Sequence, residues 1–331
     1  MSMQVNKKVL SGMRPTGKLH LGHLSVLENW AKLQEEYNCS YFIADWHALT
    51  TSFDDTESIR ANSREMTIDW LSAGLDPQKC IIFRQSDVKQ HAELHLLLSM
   101  ITPLSWLERV PTYKDQIQQF GSAGKDIAMY GFLGYPLLMA SDILLYRAGF
   151  VPVGQDQLPH LEFSRELVRR FNNMYDCEVL VEPQPLLAKI KMLPGIDKRK
   201  MSKSYGNDIA LSASPKEVKS QVHQMVTDPA RIRKDDPGHP DICTVYSYQG
   251  FYNEAEQAEI GEACRAGQIG CGECKKRLTA KMNEFLAPIL ARRAVLIKDQ
   301  QLVDDVLAAG AAAAQLEAEA TMQLVREALK I

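Results

Sequence analysis

Val9-Leu10-Ser11-Gly12-Met13-Arg14-Pro15-Thr16-Gly17-Lys18-Leu19-His20-Leu21-Gly22-His23 is the stretch that decides the fold. Val9 to Gly12 is a short apolar run suited to a buried strand, Gly12, Pro15 and Gly17 mark a turn, and a helical pattern follows in which Leu24, Leu27 and Ala31 share one face. In a doubly wound sheet that order of strand, glycine turn and helix start binds phosphate, because free backbone N–H groups and the helix dipole both favour an anion there. Gly22 lets a nucleotide lie close to the backbone, and His20 and His23, three residues apart, are expected to reach one side of the anion.

Working outward, Tyr41 to Ala44, Cys80 to Phe83 and Val179 to Val181 read as further strands, while Ile59 to Leu71 and Leu161 to Phe171 read as helices. Strands separated by helices need crossover connections, so the expected fold is an α/β, doubly wound parallel-sheet (Rossmann-like) catalytic domain over residues 1–211, interrupted by a helical insertion. Past Ser212 strand signals fade and Ala, Glu, Gln and Leu dominate, so residues 212–331 read as a helical domain. The Ala308 to Ala314 run fits that pattern and calls for no special role.

Composition narrows the classes. The 331 residues carry 38 Lys+Arg against 41 Asp+Glu and are 45% apolar, which excludes a disordered or collagen-like chain. The longest apolar candidate, Gly131 to Gly154, holds Asp142 and Arg147, so no membrane span is expected. The first residues lack the apolar core of a secretory signal, and the expected location is cytoplasmic. A net charge of −3 does not favour nucleic acid, yet residues 186–204 and 275–293 are locally basic and leave RNA binding open.

A second motif, Lys200-Met201-Ser202-Lys203-Ser204, follows Pro194 and Gly195 and precedes Gly206, which marks a loop with charges and hydroxyls for a transferring phosphate. A third is the helix begun by Pro136, where Tyr135, Met139, Asp142 and Tyr146 fall on one face. An apolar stripe interrupted by one carboxylate suits a flat aromatic ligand with a single hydrogen-bond donor, such as an indole N–H. Finally, Cys243, Cys264, Cys271 and Cys274 are spaced C-x20-C-x6-C-x2-C, which suits an all-cysteine zinc site or a four-iron four-sulfur cluster.

The histidine turn and the lysine loop together resemble the signature pair of class I aminoacyl-tRNA synthetases. With Tyr135 to Tyr146 and Val151 to His160 added, the chain resembles the bacterial tryptophanyl-tRNA synthetase family from about Val9 through Ser204. The alternatives are tyrosyl-tRNA synthetase, disfavoured because Leu10 and Met139 stand where that family places hydrogen-bonding residues, and another adenylyltransferase with the same histidine turn. The resemblance implies that Tyr135 and Gln157 hold the α-ammonium of tryptophan, that Asp142 takes the indole N–H, and that Leu10, Met139, Ile143, Val151 and Val153 surround the ring. It implies an ATP site of Arg14, Pro15, Thr16, Gly22, His23, Gly154, Gln155, Asp156 and Lys200 to Ser204 (Met201, Ser202 and Lys203 included), with His20, His23, Lys114, Lys200 and Lys203 acting on the phosphates. Two places depart from the family: many bacterial members have Gln at Arg14 and Thr-Ile-Gly-Asn at His20 to His23. ATP with Mg2+, tRNA(Trp) and a homodimer joined near His95 to Leu107 are implied as well. Likeness to a subset of the family favours 4Fe-4S over zinc at the cysteines and places RNA phosphates at Lys275, Lys276 and Arg277.

Overall fold

The computed structural model describes residues 7–122, 124–187 and 193–331, apart from the side chains of Pro111, Thr112 and Ser204. Five strands, β1 (Lys8–Met13), β2 (Asn38–Ile43), β3 (Cys80–Arg84), β4 (Phe150–Val153) and β5 (Gln184–Leu187), lie in the order β3-β2-β1-β4-β5, all neighbours parallel. Alternation along the strands sorts their side chains into two cores. Val9, Tyr41 and Ile82 face the helices Leu21–Leu33 and Thr56–Ala73, whereas Leu10, Phe42 and Phe83 face Tyr135–Leu145 and Leu158–Met174. This is the doubly wound α/β sheet expected from sequence. Its strand order reverses between β1 and β4, which opens a crevice at their carboxyl ends.

Two strands differ from expectation. Val179 to Val181 does not pair; Leu180 is buried instead, its backbone N–H and carbonyl both bonded to the Asn172 side chain at 3.1 and 2.8 Å. The chain enters the sheet three residues later as β5, where Pro185 is tolerated because β5 is an edge strand. Phe150–Val153 is also a strand, masked in the sequence by Pro152.

Beyond residue 211 the described residues form the helices Pro215–Gln224, Thr244–Tyr252, Glu254–Arg265, Cys271–Lys298 and Gln300–Leu329. The last of these returns to the catalytic sheet and covers the open edge of β3. Here the Ala308 to Ala314 run acquires a role that its composition did not suggest. Gly310 lies against the Ile82 backbone, and Ala311 and Ala314 are buried beside it, because only small side chains let a helix approach a strand this closely. A Cβ on Gly310 would collide with the Ile82 carbonyl oxygen. Gly310→Ala is therefore expected to cost about 2–3 kcal/mol, since neither backbone can yield without the other. An unchanged midpoint in urea unfolding would refute the contact. Among the described residues no helix is long and apolar enough to cross a membrane.

Candidate active site

The crevice between β1 and β4 is a cavity of about 440 Å³. Leu10, Tyr135, Met139, Asp142, Ile143, Val151, Val153 and Gln157, the residues expected around the amino-acid ligand, all stand on its wall. Apolar side chains from β1, β4 and helix Tyr135–Leu145 line this slot, with Asp142 as its one carboxylate.

A buried carboxylate needs donors, and the fold supplies Asp142 with three side chains. Gln85 Nε2 donates to its two oxygens at 2.8 and 3.0 Å, His91 Nδ1 lies 2.7 Å from Oδ1, and His47 Nε2 lies 3.0 Å from Oδ2. These side chains were not singled out from the sequence, because they come from three separate segments: His47 from the helix Asp45–Ser52 after β2, Gln85 from the short turn Gln85–Asp87 after β3, and His91 from the helix Gln90–Ser99. Tyr146 is turned behind the cavity wall, its hydroxyl 2.8 Å from His91 Nε2. Asp142 is 1% exposed, and burial alone would raise its pKa. His91 and His47 outweigh that effect and hold the carboxyl below its usual range, so it remains an anionic acceptor. His47 and Asp142 face the cavity, whereas Gln85 and His91 brace the carboxylate from behind.

The histidine turn lies beside this slot. His20 caps the helix Leu21–Leu33: its Nδ1 accepts the Gly22 N–H at 3.1 Å, and His23 Nδ1 accepts the His20 N–H at 3.2 Å. With both Nδ1 atoms accepting, each neutral ring carries its proton on Nε2, and the rings lie 3.9 Å apart. Burial, then His20 and Lys203, push the His23 pKa down to about 3, and burial also lowers that of His20. Two neutral N–H donors at a helix N-terminus can bind phosphate without taking up a proton. The linkage has a definite sign. Folded His23 stays neutral where the unfolded side chain, with its ordinary value of 6.5, is protonated, so its contribution to stability falls as pH drops from 6.5 towards 3. His23→Asn should flatten the pH dependence of urea stability in that window by up to about 1.4 kcal/mol per pH unit. An unchanged slope would contradict the neutral assignment.

The lysine loop docks on the same turn. Backbone bonds Leu21 N to Ile209 O and Leu211 N to Leu19 O, both 2.9 Å, lay residues 209–211 alongside 19–21. Gly17, at φ +123°, leaves room for the Lys203 ammonium, which would stand 2.5 Å from a Cβ there. Asn207 organises the loop, a role the sequence did not reveal. Its Oδ1 accepts from Ser202 N at 2.8 Å, and its Nδ2 donates to Asp197 Oδ1 at 2.7 Å and Lys200 O at 3.1 Å. Met201 is buried, while Lys200 and Lys203 are exposed. The Ser204 side chain lies outside the described residues, as do Lys189 and Lys191 of the basic segment.

Of the other expected ATP contacts, Arg14 and Gly154 stand on the cavity wall, and Pro15 is buried within the turn. Thr16, Gln155 and Asp156 are exposed at the rim. Lys114 is exposed on helix Pro111–Ser122, whose Gln116, two residues on, reaches the wall.

A histidine turn after β1, a lysine loop docked on it and an apolar cavity at the strand-order reversal are the arrangement of a class I aminoacyl-tRNA synthetase. The family model "tRNA synthetases class I (W and Y)" matches residues 2–287. The tryptophan–tRNA ligase of Thermotoga maritima is 50% identical over 98% of this chain and 99% of its own length, and that of Aquifex aeolicus is 42% identical over 98% and 100%. A crystal structure of tryptophanyl-tRNA synthetase from Campylobacter jejuni, complexed with ADP and tryptophan, is 33% identical and superposes with a TM-score of 0.89, covering 98% of this chain and 100% of that one. The chain belongs to the tryptophan–tRNA ligases, and it is an aminoacyl-tRNA ligase.

The expected metal cluster is corrected by the structure. Cys243, Cys264, Cys271 and Cys274 line one cleft, but it holds about 20 Å³, room for roughly one water. Among the described residues no three His, Cys, Asp or Glu side chains are grouped so as to hold a metal ion, so neither 4Fe-4S nor four-cysteine zinc is supported. Protein donors take up two of the sulfurs instead: Arg231 Nη1 lies 3.6 Å from Cys264 Sγ and Gln249 Nε2 lies 3.5 Å from Cys274 Sγ.

The adjoining basic residues are also partly occupied. Lys275 Nζ donates to the carbonyls of His223 and Met225 at 2.6 and 3.0 Å, and Arg277 faces Glu256, Glu259 and Glu273. Lys276 is exposed, and with Lys219 and His223 it lines a groove of about 330 Å³.

Proposed function

We propose that this site activates L-tryptophan with ATP and that the resulting adenylate then acylates tRNA(Trp), with residues 1–211 performing the chemistry and residues 212–331 reading the tRNA. The observation that carries the reading is the apolar slot whose one carboxylate, Asp142, is held ionised beside a phosphate-binding turn. The indole lies between Met139, Ile143, Val151 and Val153 with its N–H towards Asp142, while Tyr135 and Gln157 meet the α-ammonium. No general base is needed, because the tryptophan carboxylate is already anionic at neutral pH. One of its oxygens attacks the α-phosphorus of ATP in line; the new O–P bond forms as the bond to pyrophosphate breaks. His20 and His23 donate to the phosphoryl oxygens, and Lys200 and Lys203 stabilise the charge that grows on pyrophosphate. Closing of the 195–206 loop over ATP gates this step. Mg2+ would be held chiefly by the polyphosphate oxygens and would neutralise the leaving group.

The surface supports two further parts of the reading. Lys276, Lys219 and His223 offer a site for tRNA phosphates. Exposed Leu96, Met100 and Leu104 support a homodimer through residues 95–107, and sedimentation should then give twice the chain mass of 37.2 kDa. A cytoplasmic location belongs to the same reading. ATP–pyrophosphate exchange with each of the twenty amino acids tests the central claim: tryptophan alone should support it, and exchange driven by tyrosine would overturn it.

A further inference from the structure

The cavity wall carries one Lys or Arg side chain, Arg14, and one carboxylate, Asp142. Asp142 is engaged by Gln85, His47 and His91, but Arg14 has no such counterpart. Among the described residues no carboxylate pairs with it. Its Nη2 donates to Thr51 Oγ1, and its Nε is buried with no acceptor. Burial lowers the Arg14 pKa, and the neighbouring Tyr135 opposes that only in part. A partly buried cation with no carboxylate partner and a buried Nε left without an acceptor is costly, and the cost is relieved when a ligand brings the missing anion.

The position of Arg14 selects which anion. Thr51 anchors the guanidinium next to Thr50, which is itself on the wall of the amino-acid slot. Polyphosphate charge has its own partners at the other end of the site, in Lys203 beside Gly17 and the two histidines. With the indole N–H at Asp142, the anion left for Arg14 is the α-carboxylate of the amino acid.

We propose that Arg14 binds the substrate's α-carboxylate and aims its attacking oxygen at ATP, with Thr51 as the positioning residue that holds the guanidinium. This assignment rests on the tryptophan reading and adds the group that selects an amino acid over an amine. Equilibrium binding of tryptophan and of tryptamine, which has the indole and ammonium but no carboxylate, tests it. Arg14→Ala should weaken tryptophan about 10- to 100-fold, the usual worth of a charge-assisted hydrogen bond, and leave tryptamine unchanged. Thr51→Val keeps the side-chain shape and should give a smaller loss for tryptophan alone, so the proposal stays testable if Arg14→Ala does not fold. Equal weakening of both ligands would overturn the assignment, as would a loss confined to ATP, which would give Arg14 to the α-phosphate. If the unaltered chain bound tryptophan no better than other amino acids, the tryptophan reading itself would fail.

Discussion

Asp142→Ala is expected to weaken tryptophan binding about 30- to 150-fold and to leave ATP binding unchanged. A hydrogen bond to a buried charged group is worth about 2–3 kcal/mol, and each 1.36 kcal/mol is tenfold in affinity. The effect should be at the upper end, because the substitution also removes the acceptor shared by Gln85, His47 and His91, which then compete for a slot shaped around the carboxylate. Asp142→Asn keeps the shape and one carbonyl acceptor, and should lose less. Isothermal titration with tryptophan and, separately, with a non-hydrolysable ATP analogue decides the matter. Equal losses for the two ligands would mean that Asp142 supports the sheet and not the indole.

Lys203→Ala should slow the pre-steady-state formation of adenylate about 100- to 1000-fold, or roughly 3–4 kcal/mol, while the tryptophan dissociation constant stays as it is. Lys203 stands over Gly17 at the histidine turn and is absent from the wall of the amino-acid slot. An interaction made with charge that develops only as pyrophosphate leaves affects rate and not ground-state affinity. A variant that activated normally and was slow only in transfer to tRNA would remove Lys203 from this step.

The doubly wound sheet was legible, and so was the set of eight residues that share one cavity wall, because each rests on local signals: the glycine turn after a strand and the step of four, three and four residues along one helix segment. The cysteine spacing was legible too, yet it misled, because spacing along the chain does not say whether four sulfurs converge on a volume large enough for a metal. The basic run at 275–293 likewise concealed partners on other helices; Arg293, for instance, is buried against Glu65 and Asp69.

What the sequence determined by itself is the fold and the class of enzyme, through the histidine turn, the helix that carries Asp142 and the lysine loop, since each of those motifs is made of residues near one another along the chain. Only the tertiary structure decided how that chemistry is held. Gln85, His47 and His91 converge on Asp142 from three separate segments, Asn207 pins the lysine loop, and Gly310 seats the last helix on the edge of β3. The Asn207 bonds span only five to ten positions within one loop, but the others join residues tens to hundreds of positions apart, and at that range no periodicity or propensity marks a partner; the packing of strands and helices alone brings it into reach.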